Sequence, residues 1–288
     1  MADGNVDAVG ERDLMAIFVE RENVSTAWVE GLDRLLAAGG EAVNLTVVIG
    51  DPTTETPAIR AVVDAFIDER RRERRKVERV STVANTIFPE SLYIERLGEA
   101  AEAHLYEMER RGRAVNRRRN SYGTYFERMV AWPVWPSKGK AAETFNQLDQ
   151  AVTRLRGLRE RGVHRGNQFE IGLAAPAEHG IAMPVVVPGR DTLTMGFPCL
   201  SHVSLSLHDG AVHMTAIYRN HDFIKRAYGN YVGLGRLLRF VAQQSGWPIG
   251  ELECVSASAE AVRGGAGFAR GAVTELLEAC RLAEKEAS

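Results

Sequence analysis

Val203-Ser204-Leu205-Ser206-Leu207-His208-Asp209-Gly210-Ala211-Val212-His213-Met214-Thr215-Ala216-Ile217-Tyr218 is the stretch on which the reading of the fold turns. Val203, Leu205 and Leu207 alternate with Ser204, Ser206 and His208, which is the two-residue period of a strand with one buried face. Asp209-Gly210 is a hairpin signal, and Ala211 to Tyr218 alternates again. Two strands joined by a tight turn bring the Arg219 end of the second beside Cys199 at the start of the first. That matters chemically, because a thiol nucleophile needs a cationic neighbour to favour the thiolate and polar partners to position an electrophile. Phe197-Pro198-Cys199, Tyr218-Arg219-Asn220-His221-Asp222 and Asn230 offer all three in one short run. The competing reading is a buried, inert cysteine, the commoner fate of a lone thiol.

Outward from this run the composition is that of an ordinary globular protein. The chain has 288 residues, 45% of them apolar and 26% charged, enough for a sizeable core. A formal charge of -2 gives no electrostatic pull toward nucleic acid or acidic lipid. The three cysteines, Cys199, Cys254 and Cys280, form no CxxC pair, which argues against a disulfide framework or a zinc cluster and leaves no metal site expected. Reduced thiols, an acidic N-terminus without an apolar core, and no run of membrane-spanning length lead to the expectation of a soluble, cytoplasmic protein.

Upstream, residues 13 to 50 read as a small α/β unit. Leu14 to Val19 is strand-like, Ser25-Thr26 is a candidate cap for a helix carrying Trp28, Leu32, Leu35 and Leu36, Gly39-Gly40 stops it, and Val43 to Ile49 is a second strand. Thr56-Pro57 opens a helix that runs into the charged stretch Glu69 to Lys76. The interspersed Glu69, Glu73 and Glu78 mark that stretch as a solvated helix face and not a nucleic-acid patch. Thr82 to Phe88 fits helix or strand, and Leu92 to Arg111 reads as an amphipathic helix. The aromatic segments Asn120 to Phe126 and Ala131 to Pro136 read as loop or lid packing, with ligand stacking as the alternative. Phe145 to Leu158 is helical; Phe169 to Leu173, Met183 to Val187 and Leu193 to Met195 are candidate strands. Tyr228 to Ser245 is a long helix closed by Gly246 and Pro248. With no repeat or linker, the pattern favours one α+β domain over residues 1–288.

From Cys199 to Asn230 the chain resembles the thymidylate synthase and pyrimidine hydroxymethylase superfamily. Pro198-Cys199, Asp209-Gly210, Arg219-Asn220-His221-Asp222 and Gly229-Asn230 stand in that family's order, with similar spacing from cysteine to arginine and from arginine to asparagine. Tyr122-Gly123-Thr124-Tyr125-Phe126 with Ala131-Trp132-Pro133, and Gln147-Leu148-Asp149-Gln150, are similar to two further family segments. The resemblance spans about residues 120 to 260 and leaves the first 110 divergent. It implies a mixed β-sheet layer covered by helices. It also implies that Cys199 adds to C6 of a pyrimidine ring and makes C5 nucleophilic toward a one-carbon unit from 5,10-methylenetetrahydrofolate. Asn230 would read the O4/N3 edge of a uracil, Asp222 would organise that network, and Arg219 would hold the substrate phosphate and lower the thiol pKa. Asn220, Arg165, Tyr125 and Glu260 complete the implied substrate contacts. The partners so implied are a pyrimidine nucleotide, a folate and a second copy of the chain in a homodimer.

The departures are as specific. The family follows its cysteine with histidine, whereas here the order is Cys199-Leu200-Ser201-His202. Arg165-Gly166 stands where a neighbouring subunit contributes paired arginines, and Val255 to Val262 lacks the sugar-binding His and Tyr, with Glu260 near the His position. No apolar C-terminal lid is recognisable, because Thr274 to Ala283 reads as an ordinary helix, and Glu90 is the sole candidate for a folate-side carboxylate. His202 and His221 are each candidate general bases or hydrogen-bonding residues. These changes spare the thiol chemistry and blur the substrate contacts. Two functions follow: transfer of a methyl or hydroxymethyl group to C5 of a uracil nucleotide or related pyrimidine, or nucleotide binding by a catalytically altered sensor or regulatory relative. A nucleic-acid binder using Arg70 to Arg79 is disfavoured by the neutral charge.

Overall fold

The computed structural model describes residues 16–73, 76–93, 105, 107–112, 124–134, 143–173, 198–262 and 268–287. The N-terminal α/β unit forms as the pattern requires: strand β1 (Ile17–Asn23), helix α1 (Val24–Ala37) and strand β2 (Glu41–Asp51), with β1 and β2 parallel. Asn23, not Ser25, caps α1, its side chain accepting from the Thr26 N–H at 3.1 Å. Ser25 is instead buried and shares a hydrogen bond of 2.8 Å with the Tyr228 hydroxyl. Gly39 and Gly40 end the helix at φ of 100° and 102°.

Pro57 opens helix α2 (Pro57–Arg72), whose charged end is laced by Arg70–Glu73 and Arg71–Glu78 pairs, as a solvated face should be. Thr82 to Phe88 resolves as helix, α3 (Val80–Ile87). The segment read as an aromatic loop contains a short helix α4 (Tyr125–Val130), capped by Thr124, then strand β3 (Trp132–Val134) paired with β4 (Glu143–Phe145). Helix α5 (Gln147–Glu160) and strand β5 (Gly166–Gly172) follow. Leu14, Tyr122, Gly123, Trp135-Pro136, Phe197, most of the expected helix from Leu92 and the expected strands at Met183 to Val187 and Leu193 to Met195 lie outside the described residues.

The quoted hairpin is β6 (Leu200–His208) and β7 (Ala211–Tyr218), turned at Asp209 and Gly210 with φ of 49° and 77°. Strand β8 (His221–Asp222), a π-helical turn (Phe223–Ala227), helix α6 (Tyr228–Ser245), strand β9 (Ile249–Glu260) and helix α7 (Arg270–Ala287) complete the chain. Together they give a mixed sheet in the order β1-β2-β9-β7-β6-β5, with β8 beside β9. The α+β class is as expected. Strand β9 is the correction: it runs through the middle of the sheet, antiparallel to β2 and parallel to β7, where the sequence showed no strand.

The buried face of the sheet carries Leu45, Val47, Ile49, Val203, Leu205, Met214, Ala216, Leu252 and Cys254, each at most 1% exposed. Trp28 ties α1 to the far side of the core, its indole N–H donating to the Phe223 carbonyl at 3.0 Å and its ring stacking on Phe223. Helix α6 is buried along nearly its whole length. Its approach to α3 needs Gly229, where a Cβ would fall 2.6 Å from Val83 Cβ. Among the described residues the opposite sheet face carries His202, Ser204 and Thr215 half-buried and Phe18, Val43 and Ile217 exposed.

Candidate functional site

Cys199 sits immediately before β6, and the hairpin returns Arg219 to it as the alternation predicts. The Arg219 backbone N–H donates to the Cys199 carbonyl at 2.9 Å. Its guanidinium folds back over the same residues, Nε and Nη2 donating to the Pro198 carbonyl at 3.2 and 2.8 Å. From the other side Tyr125, at the start of α4, accepts from the Leu200 N–H at 3.5 Å and packs with Cys199 against the core. Burial, with the thiol as neighbour, pushes the Tyr125 hydroxyl up to about 12.

The thiol itself departs from expectation. Burial is the largest influence on Cys199 and raises its pKa; Asp222 adds to the rise, while Arg219 and Arg226 oppose it without overcoming it. Arg219 therefore acts in the expected direction, but the net shift is upward. Arg226, on the π-helical turn, is a second cation at the thiol, and its sequence position carried no motif to reveal it.

Asp222 is close to the site but is engaged locally. Its carboxylate accepts from the Lys225 N–H at 2.8 Å, capping the π-helical turn, and pairs with Lys225 Nζ at 3.5 Å. Asn220 is exposed in the turn between β7 and β8, beside Arg219. Glu260 ends β9 in register with Asp222. Asn230, on the first turn of α6, is buried, and its Nδ2 donates to Nε2 of His221 at 3.0 Å. The other ring nitrogen of His221 lies 2.8 Å from Ser256 Oγ, on β9. Burial takes the His221 pKa down to about 3, so this imidazole is neutral and is no ordinary proton shuttle near neutrality.

Three candidates are placed elsewhere. A bulge between Leu200 and His202 shifts the β6 alternation, so that His202 lies on the open sheet face, bonded to Glu170, which also accepts from Ser204. Arg165 pairs with Asp209 at 3.5 Å beyond the far end of β6, about 30 Å from Cys199 by strand rise. Glu90 is bound by Arg236 and Arg239 on α6, which at 100° per residue point away from the Asn230 side of that helix. It offers no carboxylate at the thiol.

The described arrangement thus brings together Cys199, Arg219, Tyr125, Asp222 and Glu260 at one end of the sheet, with Asn230, His221 and Ser256 beneath. Tyr218 and Tyr231 line the same region, and their buried hydroxyls have no hydrogen-bond partner among the described residues. Among those residues no helix is long and apolar enough to cross a membrane.

No family model matches the chain. Part of it is similar to curated proteins named "putative thymidylate synthase". The relative from Methanosarcina barkeri is 34% identical over 73 residues, 25% of this chain and 34% of that protein. The one from Methanosarcina acetivorans is 37% identical over the same length. The one from Methanothermobacter thermautotrophicus is 29% identical over 114 residues, 40% of this chain and 44% of that protein. The chain therefore spans about a third to under half of the length of these relatives. Over the matched part it is similar to these proteins at 29–37% identity, a distant and partial likeness.

Proposed function

We propose that this chain transfers a one-carbon unit, as methyl or hydroxymethyl, to C5 of a uracil nucleotide or related pyrimidine through a covalent Cys199 adduct. The observation that carries the reading is the hairpin closure, with the Arg219 N–H on the Cys199 carbonyl and its guanidinium on the Pro198 carbonyl. A nucleophile and a cation are thereby held on adjacent strand ends. In this reading the Cys199 sulfur bonds to C6, and the electron pair displaced from the C5=C6 bond is delocalised onto the ring carbonyl at C4. The Asn230 amide, beneath the site, supplies a donor for that developing charge. Arg219 and the exposed Asn220 receive the substrate phosphate. Once C5 has bonded to the one-carbon unit and lost its proton, the sulfur leaves C6 and the double bond is restored.

A methylenetetrahydrofolate would supply the one-carbon unit at the formaldehyde level, its bonds from that carbon to nitrogen breaking on transfer; water would complete a hydroxymethyl group, whereas a methyl group would also require a hydride, which the same cofactor would donate. The one carboxylate suggested for it, Glu90, is held by Arg236 and Arg239 on the far side of α6 and does not fit that role. The open sheet face and the remoteness of Arg165 from Cys199 in the same chain support a homodimer in which a second copy completes the phosphate site. The raised thiol pKa favours the second reading, a nucleotide-binding relative without turnover.

Mass spectrometry after incubation with 5-fluoro-2′-deoxyuridine monophosphate and methylenetetrahydrofolate separates the two. A covalent adduct on the Cys199 peptide supports the enzyme. Nucleotide binding without any adduct supports the sensor.

A further inference from the structure

Asn230, His221 and Ser256 come from three separate elements, α6, β8 and β9, yet their side chains form one line of hydrogen bonds inside the core. They are 4%, 1% and 0% exposed. The His221 ring lies flat on Tyr218, with centroids 4.2 Å apart and planes 2° from parallel, and Tyr231 meets it edge-on. A ring packed this closely does not turn without displacing its neighbours.

The line has a polarity. An amide nitrogen offers only hydrogens, so Nε2 of His221 is the accepting nitrogen and Nδ1 carries the ring proton, donated to Ser256 Oγ. Flipping the Asn230 amide would set its oxygen against the Nε2 lone pair and lose this bond. Imidazole protonation would turn Nε2 into a donor and invite that flip, but burial keeps the ring neutral. The amide orientation decides what a pyrimidine edge finds. A uracil edge presents a donor at N3 and an acceptor at O4; a cytosine edge reverses both, and the two demand opposite orientations of one amide.

We infer that His221, held by Ser256 and Tyr218, is the positioning residue that fixes the Asn230 amide and so the choice of a uracil over a cytosine edge. The inference rests on the proposed reading of Asn230 as the base-facing residue. Nothing in the resemblance motif points to it, since His221 occupies the variable place between Arg219 and Asp222.

The test has two arms. In the protein without nucleotide, long-range proton–nitrogen NMR of His221 should show a neutral ring protonated at Nδ1 from pH 5.5 to 8. Calorimetry with 2′-deoxyuridine and 2′-deoxycytidine monophosphates should show a uracil preference in the parent. In His221→Phe that preference should fall about tenfold, the equivalent of one oriented hydrogen bond. His221→Gln, whose amide oxygen can still accept from Asn230, should retain most of it, and thermal melts establish that each variant is folded. A ring protonated at Nε2, or a folded His221→Phe with the parent's preference, overturns the inference and leaves the base site standing. Should the parent bind neither nucleotide while the NMR result holds, the base-site reading fails and the specificity role fails with it.

Discussion

At Cys199 two opposing physical effects meet. A cation in contact with a thiol lowers its pKa by about 1–3 units, yet burial here outweighs Arg219 and Arg226 together. The free protein therefore holds a mostly protonated thiol at neutral pH. Its alkylation by iodoacetamide should climb steeply from pH 7 to 9 as the thiolate forms. Arg219→Gln should slow alkylation throughout by removing one of the two opposing charges; an unchanged or faster rate would contradict that role. His221 gives a second pH signature. Its folded pKa of about 3 lies below the ordinary 6.5, so between those values the unfolded chain binds more protons than the folded one. Stability is then fully present above about pH 6.5 and falls as pH drops, by roughly 1.4 kcal/mol per unit from this residue. Urea midpoints from pH 7 to 4.5 should show a shallower decline in His221→Phe than in the parent. The meeting of Cys199 with Arg219 was legible in the sequence because a tight hairpin converts alternation into position. Ser256 and Arg226 were not: one arrives from a strand far along the chain, and the other is aimed by a π-helical turn that no residue pattern announces.

Among the elements, the hairpin and α6 were read almost to the residue, since both carry strong periodicity and a Gly at the turn or cap. Strand β9 escaped because Ser, Ala and Cys fill its inward positions, so that Cys254, Ser256 and Ala259 give little hydrophobic contrast. Its alternation also slips where Ala257 and Ser258 are both exposed; Ser258 pairs with Val43 of β2, whose neighbour Asn44 adopts φ of 58°. Asn44→Gly should be tolerated there, and Asn44→Val should cost about 1–2 kcal/mol in denaturant melts, because a branched side chain resists that conformation. The α3–α6 contact offers a sharper check. Gly229→Ala should destabilise by about 1–3 kcal/mol through overpacking against Val83. Val83→Ala in the same chain should recover little of that loss, because the Val83 Cβ and the Val80 carbonyl that the new methyl meets both remain.

At the scale of the molecule, and among the described residues, helices pack on one sheet face, while the other carries half-buried His202, Ser204 and Thr215 and exposed Phe18 and Ile217. A second copy docked on this face, as the proposed homodimer requires, would account for apolar residues otherwise left in water. Sedimentation of Ile217→Glu should show a monomer where the parent is a dimer; a parent that sediments as a monomer removes this part of the account. Tritium release from 5-tritiated 2′-deoxyuridine monophosphate, with methylenetetrahydrofolate present, reads ring activation by a Cys199 adduct directly. The account predicts release by the parent and none by Cys199→Ser. No release by a parent that binds the nucleotide, or equal release by both proteins, would contradict it.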